Sequence, residues 1–371
     1  MGALQKRKVA IIGAGGVANG HANGYLEHQD KIDLSAVCDV AYEKADEFAQ
    51  RYAIPAVYAD VEDMLAEQKP DLVSICTPPA THTELCIQCM EAGSWVLCEK
   101  PLCGSLADLD QIVDSEKQTG CYTVSVFQWR FGSAAQHLKT MFDQGALGKA
   151  FSGVCNTTWY RSEKYYQVPW RGTWKDELGG VTMGQGIHLI DLFLWIFGDW
   201  SEIKAMTATL AHDIEVEDVS AALVRFRNNA VGTILNSVAC PRQETYLRLD
   251  FERATVEMNG LYRASNENWS VSTGELDDEI CAETSARWQS LTSDVTGGHP
   301  SQIRSLLSDM DEGRRPTTTG PGIRNTLEFL SALYKSAFTN EIVRAGSIVP
   351  GDPYYAAIHG GADTEGKACS R

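Results

Sequence analysis

Residues 13–18 read Gly-Ala-Gly-Gly-Val-Ala, directly after the apolar run Val9-Ala10-Ile11-Ile12 and directly before a helix-like stretch reaching His28. A G-x-G-x-x-A turn in that setting constrains the fold more than any other stretch of the chain. Gly13 permits the tight turn out of the strand, and Gly15 lets a pyrophosphate approach the backbone. Ala18 allows the helix to pack closely on the strand. The helix N-terminus, with Gly16 and Val17 at its start, then faces the phosphates.

The same grammar continues along the chain. Apolar runs at Leu34–Cys38, Val57–Tyr58, Leu72–Cys76, Trp95–Cys98 and Tyr122–Phe127 alternate with helical stretches at 42–52, 61–67, 82–92 and 106–119. Strands alternating with helices predict a parallel sheet covered on both faces, a Rossmann fold over residues 1–125. Beyond it the segments 150–160, 202–211, 216–227, 230–239, 244–251 and 254–259 succeed one another with short turns, and Asn228-Asn229 suits a tight hairpin. Residues 126–371 are therefore expected to form an α+β domain around a mainly antiparallel open sheet. Helices are expected near 133–144, 186–197, 300–312 and 323–338, and the end after about residue 358 reads as loose.

Composition narrows the partners. The formal net charge of −17 opposes binding to a phosphate backbone or an anionic membrane. No targeting segment stands out, and the most apolar later stretch, Leu189–Phe197, contains Asp191 and is too short for a span. The eleven cysteines sit in apolar segments, as expected of core residues in a reducing cytoplasm. Cys86 and Cys89 form a C-x-x-C without a second ligand pair, so no metal is expected. Asp39 ends the second strand about twenty residues after the glycine loop. A carboxylate there would accept bonds from the adenine-ribose hydroxyls and repel an extra phosphate, which favours NAD over NADP.

Two further pieces sharpen the reading. Cys76-Thr77-Pro78-Pro79-Ala80-Thr81-His82 lies at the end of the fourth strand, and Cys98-Glu99-Lys100-Pro101-Leu102 at the end of the fifth. With Trp170-Arg171-Gly172-Thr173-Trp174 and the run Gly179 to Asp191, they resemble the Gfo/Idh/MocA oxidoreductases over nearly the whole chain. The resemblance implies that Lys100 and His188 meet at a substrate hydroxyl and that Glu99 holds the nicotinamide ribose. It also implies that Lys100-Pro101 is a cis peptide and that Thr77, Pro78 and His82 border the cofactor. Phe127-Gln128-Trp129-Arg130-Phe131 matches the family's F-N-x-R-F with Gln128 for Asn, which makes Gln128 a cofactor contact. Many relatives carry Asp four residues before the His; here that position is Gly184. Homo-oligomers, dimers or tetramers, are also implied.

Alcohol oxidation removes a hydride from carbon and a proton from oxygen. Lys100, its pKa lowered from about 10.4 by burial beside a cation, is the expected base, with His188 sharing the proton. Asp191, one turn on, is expected to be structural. The substrate side is expected among Trp159, Tyr160, Arg161, Tyr165, Tyr166, Trp170, Arg171, Trp174 and Gln185, about half of the aromatic and Arg residues filling the core instead. Aromatic faces and polar groups of this kind suit a carbohydrate, and the W-R-G-T-W stretch resembles members that oxidise a hexose or glycoside at C3. The alternatives are a redox-assisted glycosidase that keeps its NAD, and a non-catalytic NAD-binding regulator.

Overall fold

Buried β-branched and other apolar residues run almost unbroken through the first strands, which is what a sheet covered on both faces requires. In the computed structural model, which describes residues 6–262 and 264–361, β1 (Arg7–Ile12) leads through α1 (Ala18–Leu26) to β2 (Ile32–Cys38). Next come α2 (Tyr42–Tyr52), β3 (Ala56–Tyr58), α3 (Val61–Gln68) and β4 (Leu72–Ile75). The unit continues with α4 (His82–Glu91), β5 (Trp95–Cys98), α5 (Leu106–Thr119) and β6 (Thr123–Ser125). All six strands are parallel, in the order β3-β2-β1-β4-β5-β6. The order reverses between β1 and β4, the crevice where ligands bind in such sheets. Local chemistry sets the helix ends: Asp60 caps α3 through the amides of Glu62 and Asp63, and Ser105 caps α5 through that of Asp108.

The second unit opens with α6 (Ser133–Asp143), β7 (Ala150–Tyr160) and the single turn α7 (Glu163–Tyr166). The long apolar helix α8 (Ile187–Phe197) precedes β8 (Trp200–Ala208), β9 (Val219–Phe226), β10 (Val231–Ser237), β11 (Ala239–Phe251) and β12 (Thr255–Gly260). Asn229, at φ 70°, turns the β9–β10 hairpin as its sequence suggested. The sheet is mostly antiparallel, but β7 and β10 at its middle run parallel. There Gly153 and Gly232 lie side by side, and a Cβ on either would stand 2.5 or 2.7 Å from Phe193, so α8 packs directly on this pair. Among the elements that escaped the sequence reading are α7, β13 (Trp269–Ser272), which extends the edge beside β12, and α9 (Asp278–Gln289). The last two are short or almost wholly exposed, so no apolar period marks them.

The chain then returns. Of the described residues, the first compact unit gathers those through Val126 together with His299–Ile323; the second holds those of Phe127–Gly298 and those from Arg324 on. Helix α10 (His299–Glu312) lies on α1, with Ile303, Leu306 and Leu307 in the first unit's core. Gly24 makes room for it, since a Cβ there would sit 2.6 Å from Cδ1 of Ile303. This return differs from the single boundary expected at 125/126, because the apolar face of α10 fits either core equally well by pattern. Helix α11 (Gly320–Thr339) and β14 (Val343–Arg344), paired with β8, complete this part of the chain. In the end expected to be loose from about residue 358, Ile358 is buried and the ring of His359 packs on Trp174. Residues 362–371 lie outside the described residues. None of the described cysteines is in a disulfide, and no described helix is long and apolar enough to cross a membrane.

Candidate active site

Three loops leave the C-terminal ends of β1, β4 and β5 together. Gly13 turns at φ 93°, and a Cβ there would lie 2.8 Å from the carbonyl carbon and oxygen of Cys76, so only glycine lets the first loop pass the second. Gly15 and Gly16 are exposed, a Cβ on either would meet nothing within 4 Å, and α1 begins two residues later. Open backbone at a helix N-terminus is the cradle a pyrophosphate needs. Val17 is 40% exposed beside it, whereas Ala18 is fully buried against the sheet. Asp39 is half-buried; its oxygens accept from the amides of Ala14 at 2.8 Å and Ala41 at 2.9 Å. A carboxylate has about four acceptor sites, so capacity remains for ribose hydroxyls. The residues present therefore fit a dinucleotide.

The second and third loops are tied to each other. His82 is fully buried, with Nδ1 2.8 Å from the Pro101 carbonyl and Nε2 3.0 Å from that of Thr77. Its ring is a strut between the loops, and burial lowers its pKa despite the two carbonyls. Thr77 and Pro78 are half-buried, and the Thr77 hydroxyl bonds that of Thr81 at 2.7 Å. The Lys100-Pro101 peptide is cis. Lys100 is half-buried, while Glu99 is buried beneath it. Oε1 of Glu99 accepts from Nε2 of His21 at 3.1 Å and Nε2 of His299 at 2.9 Å. Burial alone would push this carboxyl up; the two imidazoles outweigh it and hold the carboxyl well below the ordinary range.

In the second unit, the glycine run before α8 is pinned by Glu217. This buried carboxylate accepts from the amides of Gly180 and Thr182, both at 3.0 Å, and from the Tyr334 hydroxyl at 2.9 Å. A Cβ on Gly180 would fall 1.8 Å from the Glu217 carbonyl oxygen. Residues Thr182–Gly186 form a π-helical turn, a rare geometry that clusters at functional sites. His188 comes next and is half-buried, its ring 5.5 Å from that of Trp129. Asp191 is structural: it accepts from Nε of Arg130 at 2.7 Å, Nη2 at 2.5 Å and Thr326 Oγ1 at 2.9 Å. Gln128 is half-buried just before Trp129.

The expected lining residues separate into two groups. Trp159 and Trp174 are core, their indole N–H groups bonded to Thr245 and to the Glu215 carbonyl. Tyr160 is 49% exposed, and Trp170 and Arg171 are half-buried. The Arg171 guanidinium lies 3.8 Å from the Tyr165 ring centroid and 4.2 Å from that of Trp170. It bonds the Tyr165 hydroxyl and, at 3.1 Å, Oε1 of Glu177, whose Oε2 accepts from the Gly172 amide at 2.6 Å. Buried Gln185 donates to the same hydroxyl at 3.0 Å. A Cβ on Gly184 would stand 3.7 Å from Oε1 of Glu177. Sequence reasoning missed Glu177, His21, His299 and Arg130. Arg130 and Glu177 stood within quoted motifs or a few residues of them, but only the fold shows what they touch.

Residues 7–128 match the oxidoreductase family with an NAD-binding Rossmann fold, GFO/IDH/MocA, and residues 135–257 match that family's C-terminal domain. Together they span more than half of the chain. The D-glucoside 3-dehydrogenase of Escherichia coli K12 is 33% identical over 205 residues, which are 54% of this chain and 56% of that protein. The D-apiose dehydrogenase of Paraburkholderia graminis is 24% identical over 97% of this chain and 95% of its own length. The WlbA dehydrogenase of Chromobacterium violaceum, solved with NADH and UDP-GlcNAcA, matches with a TM-score of 0.82 at 28% identity, over 93% of this chain and 98% of that one. The cradle, the loops and these matches agree: the chain belongs to the GFO/IDH/MocA oxidoreductases and carries their NAD-binding Rossmann domain.

Proposed function

We propose that this protein oxidises a secondary hydroxyl of a sugar, glycoside or polyol, with C3 of a hexose or glycoside as the leading position. The observation that carries the reading is the Glu99-Lys100-Pro101 turn at the end of β5, with its cis peptide, beside the open glycine cradle of β1. The likeness to a D-glucoside 3-dehydrogenase favours C3. When bound, NAD supplies the hydride acceptor. The chain's task is the proton: as the C–H bond gives up its hydride, the hydroxyl proton passes to the neutral Nζ of Lys100, leaving a ketone. His188 hydrogen-bonds the same hydroxyl and orients it. Thr77, Pro78, His82 and Gln128 border the cofactor, Glu99 takes its ribose, and Tyr160, Trp170, Arg171 and Gln185 take the sugar.

The acidic side chain that many relatives place at 184 is supplied here, on this reading, by Glu177. One oxygen of its carboxylate would stand 3.7 Å from a Cβ at Gly184, within ordinary contact of a side chain there. Arg171 fixes that carboxylate, which makes Glu177 a positioning residue for the polar set beside His188. A homo-oligomer is also proposed. Met206, Leu223, Val231 and Leu235 are exposed on one face of β8, β9 and β10, and an apolar patch of that kind favours a second copy.

The test is NADH formation from NAD with a panel of glucosides, inositols and sugar acids. Turnover by the wild-type protein should fall about a thousandfold or more in Lys100→Ala, while NAD still binds. NADH formation undiminished in the variant would remove Lys100 from the reaction. Release of aglycone without net NADH would replace the dehydrogenase by a redox-assisted glycosidase.

A further inference from the structure

Glu99 is a buried carboxylate of the first unit, and the two imidazoles that hold it come from positions 278 residues apart in sequence, 21 and 299. His21 lies on α1, eight residues after the first glycine of the cradle, and is fully buried. His299 opens α10, where the chain has returned to this unit, and its side chain is 17% exposed. Both aim Nε2 at the same oxygen, Oε1, while Oε2 accepts from the Lys100 amide at 3.2 Å. The tautomer that satisfies every group puts the proton of His21 on Nε2. Its Nδ1, 2.9 Å from Ser74 Oγ, then accepts from that hydroxyl, which in turn accepts from Tyr25 at 2.6 Å.

Sequence details support a built arrangement. Gly20 stands on α1 where a Cβ would lie 3.0 Å from Nδ1 of His299, so a larger residue would press on that ring. The imidazole rings of His21 and His299 stand 4.7 Å apart, tilted by 53°, and each keeps its own line to the carboxylate.

We propose that His21 and His299 are positioning residues for the cofactor: they clamp one oxygen of Glu99, so that the other oxygen and the Lys100-Pro101 turn present a fixed anionic edge to the nicotinamide ribose. Neither imidazole touches cofactor or substrate in this arrangement. It rests on the reading of Glu99 as the ribose-holding group, and its test reads NAD binding without any sugar, so it survives or fails separately from the choice of substrate. The rival is a divalent cation held by the same two imidazoles and carboxylate, whose donor atoms lie within 4.8 Å of one another.

NAD is titrated calorimetrically into the wild-type protein, His299→Ala and His299→Gln. The alanine variant should bind NAD at least about tenfold more weakly. The glutamine variant offers an N–H at similar reach and should recover to within about threefold of wild type. Equal loss in both variants would mean that the ring matters only for packing, and unchanged affinity in the alanine variant would remove the clamp. A second measurement needs no variant: imidazole nitrogen NMR of the intact protein at neutral pH should show His21 as the neutral Nε2–H tautomer, its Nδ1 accepting from Ser74. Zinc bound at one ion per chain, with NAD affinity lost on chelation, would overturn the proposal in favour of the metal.

Discussion

The two units hold their candidate functional side chains by different means. In the first, position is written into the backbone: a glycine that must pass a neighbouring carbonyl, an aspartate anchored on two amides, a cis peptide, and one histidine strapping two loops through their carbonyls. In the second, position comes from charged side chains bonded to one another: Arg130 with Asp191, and Arg171 with Glu177 under the Tyr165 hydroxyl. The buried carboxylate nearest the proposed base is held by imidazoles, which can change charge. Its counterpart beside Gly184 is held by a guanidinium, which cannot. Backbone-set sites depend on residue type at fixed spacing, whereas network-set sites depend on which side chains the fold brings together.

The sharpest way to break this contrast is to remove one charge from the second unit. Asp191→Ala leaves the Arg130 guanidinium buried without its partner, and the second unit should lose about 3–5 kcal/mol of stability. Thermal or denaturant unfolding would show it; a loss below about 1 kcal/mol would mean that the pair contributes little to holding α8. A smaller effect is expected at Glu177. Glu177→Gln keeps the shape and most hydrogen bonds but removes the charge, and kcat should fall about tenfold to a hundredfold with little change in NAD affinity. Gly184→Asp alone sets two carboxylates side by side and should also impair turnover. Combined with Glu177→Gln it restores one negative charge, and turnover should partly recover. A double variant worse than either single one would show that Glu177 does not stand in for an acid at 184.

This contrast also explains what was legible in the sequence. The glycine turn, Asp39 and the Glu99-Lys100-Pro101 element arise from local backbone demands, so residue type and spacing announce them, and β5, α2 and α5 fall at the expected residues. The return of α10 to the first unit was not legible, because an amphipathic helix carries no address. For the same reason His299 gave no signal: its partner lies 200 positions earlier. His21 sat within the helix after the glycine loop, but one histidine in a helix reads as core until its neighbours are known. Glu177 gave no signal either, because the lack of a side chain at Gly184 does not name the carboxylate whose Oε1 stands 3.7 Å from where a Cβ there would sit.

Acid should separate the two units by the smallest but most diagnostic margin. Burial holds His21 and His82 of the first unit below the ordinary imidazole value, so below about pH 6.5 the unfolded chain takes up protons that the fold refuses. Each such histidine should therefore cost stability as the pH falls below that value. Glu99, depressed, adds to the loss only once the pH passes below its unfolded value. In the second unit, burial raises the carboxyls of Asp191 and Glu217 despite their partners, so between the unfolded and folded values the fold takes up the extra proton and stability rises as pH falls. Glu116 and His359 oppose the trend within their own units. Hydrogen exchange corrected for intrinsic rates should therefore show β1 and β4 losing protection from pH 7 to 5.5 relative to β9 and β10. Equal loss in both sheets would contradict the contrast.

The central claim, hydride transfer from C3 of a hexose or glycoside, is tested most directly by following the hydrogen itself. A glucoside carrying deuterium at C3 is incubated with the protein and NAD, and the reduced cofactor is analysed by mass spectrometry, beside glucosides labelled at C2 and C4. The expected result is one deuterium in the reduced nicotinamide from the C3 label and none from the others. Reduced cofactor that carries the label from C2 or C4, or glucoside that keeps every label while the cofactor remains oxidised, would contradict it.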